Sequence, residues 1–134
     1  MKKVLCVVGL LMLMGLAGCG SGQANSSSST DTIPAEYAGK TNPFGAEAAS
    51  AGAEIFKTNC AACHGETGHG DGPAGASLVP APKNLAELQT QVGDDYLFWR
   101  INTGKQGTSM VSWKGILTEE QIWQIISFLR TLKD

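Results

Sequence analysis

The chain has no basic excess: 10 Lys and Arg stand against 12 Asp and Glu in 134 residues, a formal net charge of -2. Binding a run of phosphates requires cations that displace their counterions, so this balance excludes nucleic acid as a partner. Alternating apolar and polar residues of useful length are also missing, as are internal repeats, which leaves an all-α class. Long apolar runs are scarce. The main one, Val4 to Gly18, is fifteen uncharged residues, and a membrane-spanning helix needs roughly 20. Residues able to hold a metal or a prosthetic group are few: 4 cysteines, 4 methionines and 2 histidines.

What is present begins with Lys2 and Lys3 ahead of that apolar run, the n-region and h-region of an export signal. The run closes in Leu16-Ala17-Gly18-Cys19, which resembles the bacterial lipobox, where the cysteine is lipidated and becomes the new N-terminus. An ordinary cleavage site beside a chance cysteine is the plainer alternative. Residues 1–18 are therefore expected to be a lipoprotein signal peptide and Cys19 the lipidation site. Maturation would also remove Cys6, Met1, Met12 and Met14, together with two of the lysines, so the mature chain is mildly acidic. Residues 19–42 carry Ser26-Ser27-Ser28-Ser29-Thr30 and almost nothing apolar, the composition of a flexible tether. Residues 43–134 remain as the folded domain.

Within that domain, Ala48, Gly52, Ile55, Phe56 and Asn59 recur at helical spacing and predict a helix over 46–59, with Asn42-Pro43 upstream as its start. A stretch with Gly65, Gly68, Gly70, Gly72, Gly75, Pro73, Pro80 and Pro82 follows and predicts an ordered loop. Asn84 is placed to cap a short helix through Leu85 and Leu88. Asp94 or Asp95 is placed to cap another through Leu97 and Ile101, closed by Gly104. The clearest helix opens with the capping box Thr118-Glu119-Glu120-Gln121, sets Ile122, Ile125, Ile126 and Leu129 on one face, and is expected to reach the C-terminus. So small a core, interrupted by a glycine loop, calls for a staple.

Cys60-Ala61-Ala62-Cys63-His64 supplies one. Cys-x-x-Cys-His is the attachment pattern of haem c: two thiols add to the two vinyl groups and the next imidazole becomes an axial iron ligand. A thioredoxin-like dithiol would want a βαβ setting, which is absent. A zinc site would have to crowd Cys60, Cys63, His64 and His69 into ten residues. A disulfide across two residues would be a small strained loop and would leave His64 without a role. One covalent haem c, with its iron, is the expected cofactor. For the second axial position the mature chain offers Met110 and His69; His69 follows His64 on what should be the same haem side, so the soft thioether of Met110 is the expected ligand.

From Ala46 to Leu132 the chain resembles the class I monohaem cytochromes c, especially the compact bacterial kind that includes the cytochrome domain of the third subunit of haem-copper oxidases. The resemblance is carried by Gly52-x-x-x-Phe56 before the attachment motif, Gly70-Asp71-Gly72-Pro73, Pro82-Lys83-Asn84-Leu85, the Met110 loop and Leu117-Thr118. Val111 stands where the family commonly has proline after the ligand methionine. The resemblance implies a small cytochrome c fold of about four helices round one haem. By position it implies that the Pro73 carbonyl accepts a hydrogen bond from His64, and that Gly52 and Phe56 cross the final helix near Phe128. Trp99, Trp113 and Trp123 are expected round the haem or that crossing, Arg100 at an exposed helix position, and the loop glycines close against the haem edge.

Two fixed axial ligands leave no open iron position for a substrate. The expectation is therefore an electron carrier without enzymatic activity or small-molecule substrate, exchanging electrons with membrane redox complexes as donor and acceptor. It would be exported and held by its N-terminal lipid on the outer face of the cytoplasmic membrane or on another envelope membrane. A five-coordinate haem peroxidase or gas-binding protein is the alternative if Met110 does not bind iron.

Overall fold

The computed structural model describes residues 31–134; the expected signal peptide, Cys19 and the serine run lie outside the described residues. Five helices follow one another: α1 (Ala49–Asn59), α2 (Ala61–His64), α3 (Leu85–Gln91), α4 (Asp94–Thr103) and α5 (Glu119–Leu129), with 3-10 turns at Ala46–Ala48 and Gly75–Ser77. Among the described residues there is no strand, only an isolated bridge between Lys114 and Leu117. The all-α class holds. The helix beyond the expected four or so is α2, a single turn inside the attachment motif. No helix among the described residues is long and apolar enough to cross a membrane.

The frame of the domain is the crossing of α1 with α5. At Gly52 an added Cβ would lie 1.9 Å from Gln124 O and 2.4 Å from Gln124 C, so the two backbones touch where only hydrogen fits. One turn later Phe56 meets Phe128 at 5.1 Å between ring centroids. This is the crossing expected from Gly52 and Phe56. The α5 face of Ile122, Ile125, Ile126 and Leu129 is buried, each such side chain contributing about 1.5–3 kcal/mol of burial. The capping box forms as expected: Thr118 Oγ1 accepts from Gln121 N at 3.2 Å and Gln121 Oε1 accepts from Thr118 N at 2.9 Å. At its other end α5 stops at Leu129 instead of reaching the C-terminus. There the Arg130 guanidinium turns to Asp94 Oδ1 (2.7 Å from Nη2) and Val92 O (3.0 Å), binding the chain end to the start of α4.

Those contacts also correct the expected cap of α4. Its N-cap is Gly93, with no side-chain cap bond. Asp94 is engaged by Arg130 and by Asn42 N, and Asp95 accepts from Gly39 N at 2.9 Å. Carboxylates in a first helical turn are favoured by the helix dipole whether or not they cap, so here they bind other segments. Asn84 does cap α3, accepting from Glu87 N at 3.2 Å, and Gly104 closes α4 at φ 71.

Residues 31–42, ahead of the expected domain start at 43, belong to the folded unit. Residues 31–42, expected as the end of the tether, form a strap over α4 and α5. Tyr37 is buried and accepts from Asn102 Nδ2 at 2.9 Å, and Asn42 Nδ2 donates to Trp123 O and Ser127 Oγ. The strap folds because one aromatic ring and one carboxamide find partners distant in sequence, which composition alone does not register.

Candidate functional site

The attachment motif sits where α1 gives way to α2 at Cys60, the C-cap of one and the N-cap of the other. A four-residue helix cannot sustain itself, because nearly all its carbonyls lack intrahelical partners. The glycine loop supplies them. Gly65 N donates to Ala61 O at 2.9 Å, Ala74 N to Ala62 O at 2.8 Å and Gly70 N to His64 O at 2.8 Å. That wrapping explains why glycine recurs: a Cβ on Gly72 would stand 2.5 Å from both Ala61 O and Ala62 O, and one on Gly75 2.4 Å from Cys63 O. Gly72 and Gly75 thus make a close approach to the backbone of α2. The loop holds Cys60, Cys63 and His64 on one rigid turn.

Neither cysteine is in a disulfide, and both are half-buried. Burial pushes the Cys60 thiol up to about 12, with the neighbouring Cys63 adding to the rise. No group of three or more His, Cys, Asp or Glu among the described residues could hold a metal ion by itself. His69, the other histidine, faces outward, its Nδ1 2.8 Å from Thr67 Oγ1.

His64 Nδ1 is buried without a hydrogen-bond partner of normal geometry. Burial pushes the imidazole pKa down, and the backbone of Lys83 acts in the opposite sense. Pro73 does not fill the role implied for it. It is exposed, and its carbonyl makes no hydrogen bond to His64 among the described residues. The loop carries Pro73 outward while Pro82 and Lys83 fold back beneath the motif, where a Cβ on Gly70 would stand 2.6 Å from Pro82 O and 3.3 Å from Lys83 O. Proline position in the sequence pointed to the wrong limb of the loop.

Met110 lies between α4 and α5, half-buried against the same core that Cys60 packs on. Its loop rests on Gly104, where a Cβ would come 2.5 Å from Met110 O and 2.6 Å from Val111 C. Trp123 is in the core, 4.4 Å from the Phe98 ring, and Trp113 and Trp99 pack at its margin. Arg100 is not exposed: its side chain retains 12% of its surface, with the guanidinium 3.7 Å over the Trp99 ring and paired with Asp31. It also lies 5.3 Å over the Tyr96 ring, so two aromatic rings of its own helix cover it. Nothing in the periodicity of α4 announces the pairing with Asp31.

Two thiols and an imidazole on one buttressed turn, a buried imidazole nitrogen without a partner, and a single thioether in an ordered loop form a donor set that fits covalent haem c. The model for cytochrome c oxidase, cbb3-type, subunit III matches residues 47–129. The cbb3-type cytochrome c oxidase subunit FixP of Azorhizobium caulinodans is 34% identical over 91 residues, 67% of this chain and 29% of that protein. The chain therefore corresponds to less than a third of FixP. Cytochrome c6 of Synechococcus elongatus is 33% identical over 82 residues, 58% of this chain and 83% of that one. The solved c-type cytochrome KustC0563 superposes with a TM-score of 0.53 at 25% identity, over 62% of this chain and 98% of its own. The chain belongs to the cbb3-type subunit III family of cytochrome c domains, as a class I monohaem cytochrome c, and its cofactor is covalently bound haem c.

Proposed function

We propose that the protein is a membrane-tethered one-electron carrier, linking a donor and an acceptor among respiratory or photosynthetic membrane complexes. Bound haem c supplies reversible one-electron exchange at its iron. Cys60 and Cys63 would hold the group by thioether bonds and His64 would ligate the iron. Met110 would close the other axial position, denying it to substrate, oxygen or peroxide, so the protein would not be an enzyme. A His and Met pair in an apolar setting favours the ferrous state and a raised potential. The observation that carries this reading is the attachment turn, whose carbonyls the glycine loop satisfies, together with the thioether of Met110, the one methionine among the described residues.

The protein would be exported, lipidated at Cys19 and anchored on the outer face of the cytoplasmic membrane or another envelope membrane. Acylation with more than one chain gives stable attachment. Between Cys19 and the folded domain the Ser-rich segment would serve as the tether. Such an anchor would keep the domain near neighbouring complexes at high effective concentration, so affinity for each can stay weak.

Carbon monoxide tests the carrier against the five-coordinate alternative. Reduced wild-type protein should not bind it, whereas Met110→Ala should, with loss of the weak far-red sulfur-to-iron absorption of the ferric form. Prompt binding by the wild type refutes the carrier reading. For the anchor, Cys19→Ala should move an intact haem protein from the membrane to the soluble fraction; wild-type protein that is wholly soluble refutes it.

A further inference from the structure

A single hydroxyl closes the loop that presents Met110. Thr108 Oγ1 donates to Lys105 O at 2.8 Å and accepts from Met110 N at 3.1 Å. The backbone completes the ring: Thr108 N donates to Lys105 O at 3.1 Å and Lys105 N donates to Met110 O at 3.0 Å. Met110 is therefore tied to Lys105 on both sides, its carbonyl directly and its amide through the Thr108 side chain. Beyond it the chain is fastened to α4, with Ser112 Oγ donating to Asn102 O at 2.7 Å, Trp113 N to Ile101 O at 3.2 Å and Lys114 N to Asn102 O at 3.0 Å. Beneath it lies Gly104, already in van der Waals contact with the loop backbone.

We propose that Thr108 is a positioning residue for Met110, its hydroxyl setting the direction in which the thioether leaves the backbone; this rests on the reading of Met110 as the second axial ligand. The hydroxyl uses its one proton on Lys105 O and a lone pair on Met110 N–H, so both bonds depend on one atom. Without it the two backbone groups turn to water and the Met110 peptide gains freedom that each ligation must remove again. A ligand whose competent conformer is only partly populated binds more weakly by that fraction.

The test is competition at the iron of the ferric holoprotein, with added imidazole displacing the sulfur and the far-red absorption reporting it. In Thr108→Val, which keeps the shape and loses both bonds, the half-displacing concentration should fall about tenfold, the combined net worth of two hydrogen bonds. Thr108→Ser, which keeps the hydroxyl, should stay within about twofold of wild type. A wild-type titration for Thr108→Val, or equal weakening in both variants, overturns the proposal. If the far-red absorption survives in Met110→Ala, the reading of Met110 fails and this proposal with it; an unchanged Thr108→Val beside a bleached Met110→Ala overturns the proposal alone. Amide exchange in the wild-type holoprotein gives a readout that needs no variant to fold. The Met110 amide should exchange at least about fivefold slower than an unprotected loop amide, and exchange at the unprotected rate refutes the role of Thr108.

Discussion

Gly52→Ala should destabilise the protein, although helix propensity alone argues the reverse. Alanine is favoured over glycine inside a helix by about 1 kcal/mol, and Gly52 lies within α1. The crossing decides the sign. A Cβ at position 52 would stand 1.9 Å from Gln124 O and 3.0 Å from Ile125 N, both backbone atoms of α5 that cannot rotate aside. To restore ordinary contact the helices must part by about 1.5 Å along that direction, and a gap of even about 0.5–1 Å forfeits a quarter to a half of a contact's dispersion attraction. The pairs that lose it are Phe56 with Phe128 and the buried row Ile122, Ile125 and Ile126. Overpacking of this kind costs about 1–3 kcal/mol, occasionally more, and so close an approach belongs to the upper part of that range, which leaves a net loss of about 1–2 kcal/mol after the propensity gain. For a domain near 100 residues each net kcal/mol lowers Tm by about 4–8 °C, so thermal unfolding of the holoprotein should shift down by about 4–16 °C. Ser50→Ala, on an exposed position of the same helix, serves as control and should be neutral or slightly stabilising. The far-red absorption should persist in Gly52→Ala, because Met110 is not on that contact. A Tm for Gly52→Ala at or above wild type would show that the α1–α5 crossing is not as close as described.

The remaining predictions concern the two ends of the site. Replacing either Cys60 or Cys63 with Ser should leave one thioether bond, seen as a shifted alkaline pyridine haemochrome band, and replacing both should abolish haem staining on a denaturing gel; a normal band from the double variant refutes the attachment. The Asp31 carboxyl is held below its ordinary 3.8, first by the hydrogen bond from Lys105 and further by the charge of Arg100. Because the folded value is depressed, its contribution is present above the unfolded value and is lost as pH falls through the folded one. Asp31→Asn should therefore lower Tm slightly at neutral pH, less so in high salt, and the gap should close below pH 3.8; a gap that persists in acid refutes the ion-pair origin.

Legibility followed the distance over which each feature is encoded. Caps at Thr118, Asn84 and Gly104 were readable because a cap involves residues within one turn. The attachment motif was readable because its five positions are contiguous, and the aliphatic face of α5 because its period is that of the helix. Asp94 and Asp95 misled because a carboxylate in a first turn has the same local signature whether it caps or binds Arg130 and Gly39. The strap was missed since Tyr37 and Asn42 are isolated in a polar stretch. A lone aromatic ring and the apolar Ile33-Pro34 pair were the only hints.

By itself the sequence determined the helical class, the haem attachment motif and the candidate donors, since each follows from spacing within a few residues or from the scarcity of Met and His. Only the tertiary structure decided which partners those residues meet. It left the Pro73 carbonyl away from His64, turned Gly72 and Gly75 toward the carbonyls of α2, paired Arg100 with Asp31 and closed the Met110 loop through Thr108. The physical reason is that hydrogen bonds and close backbone approaches between segments far apart in sequence depend on where the α1–α5 crossing places them, and no local pattern records that position.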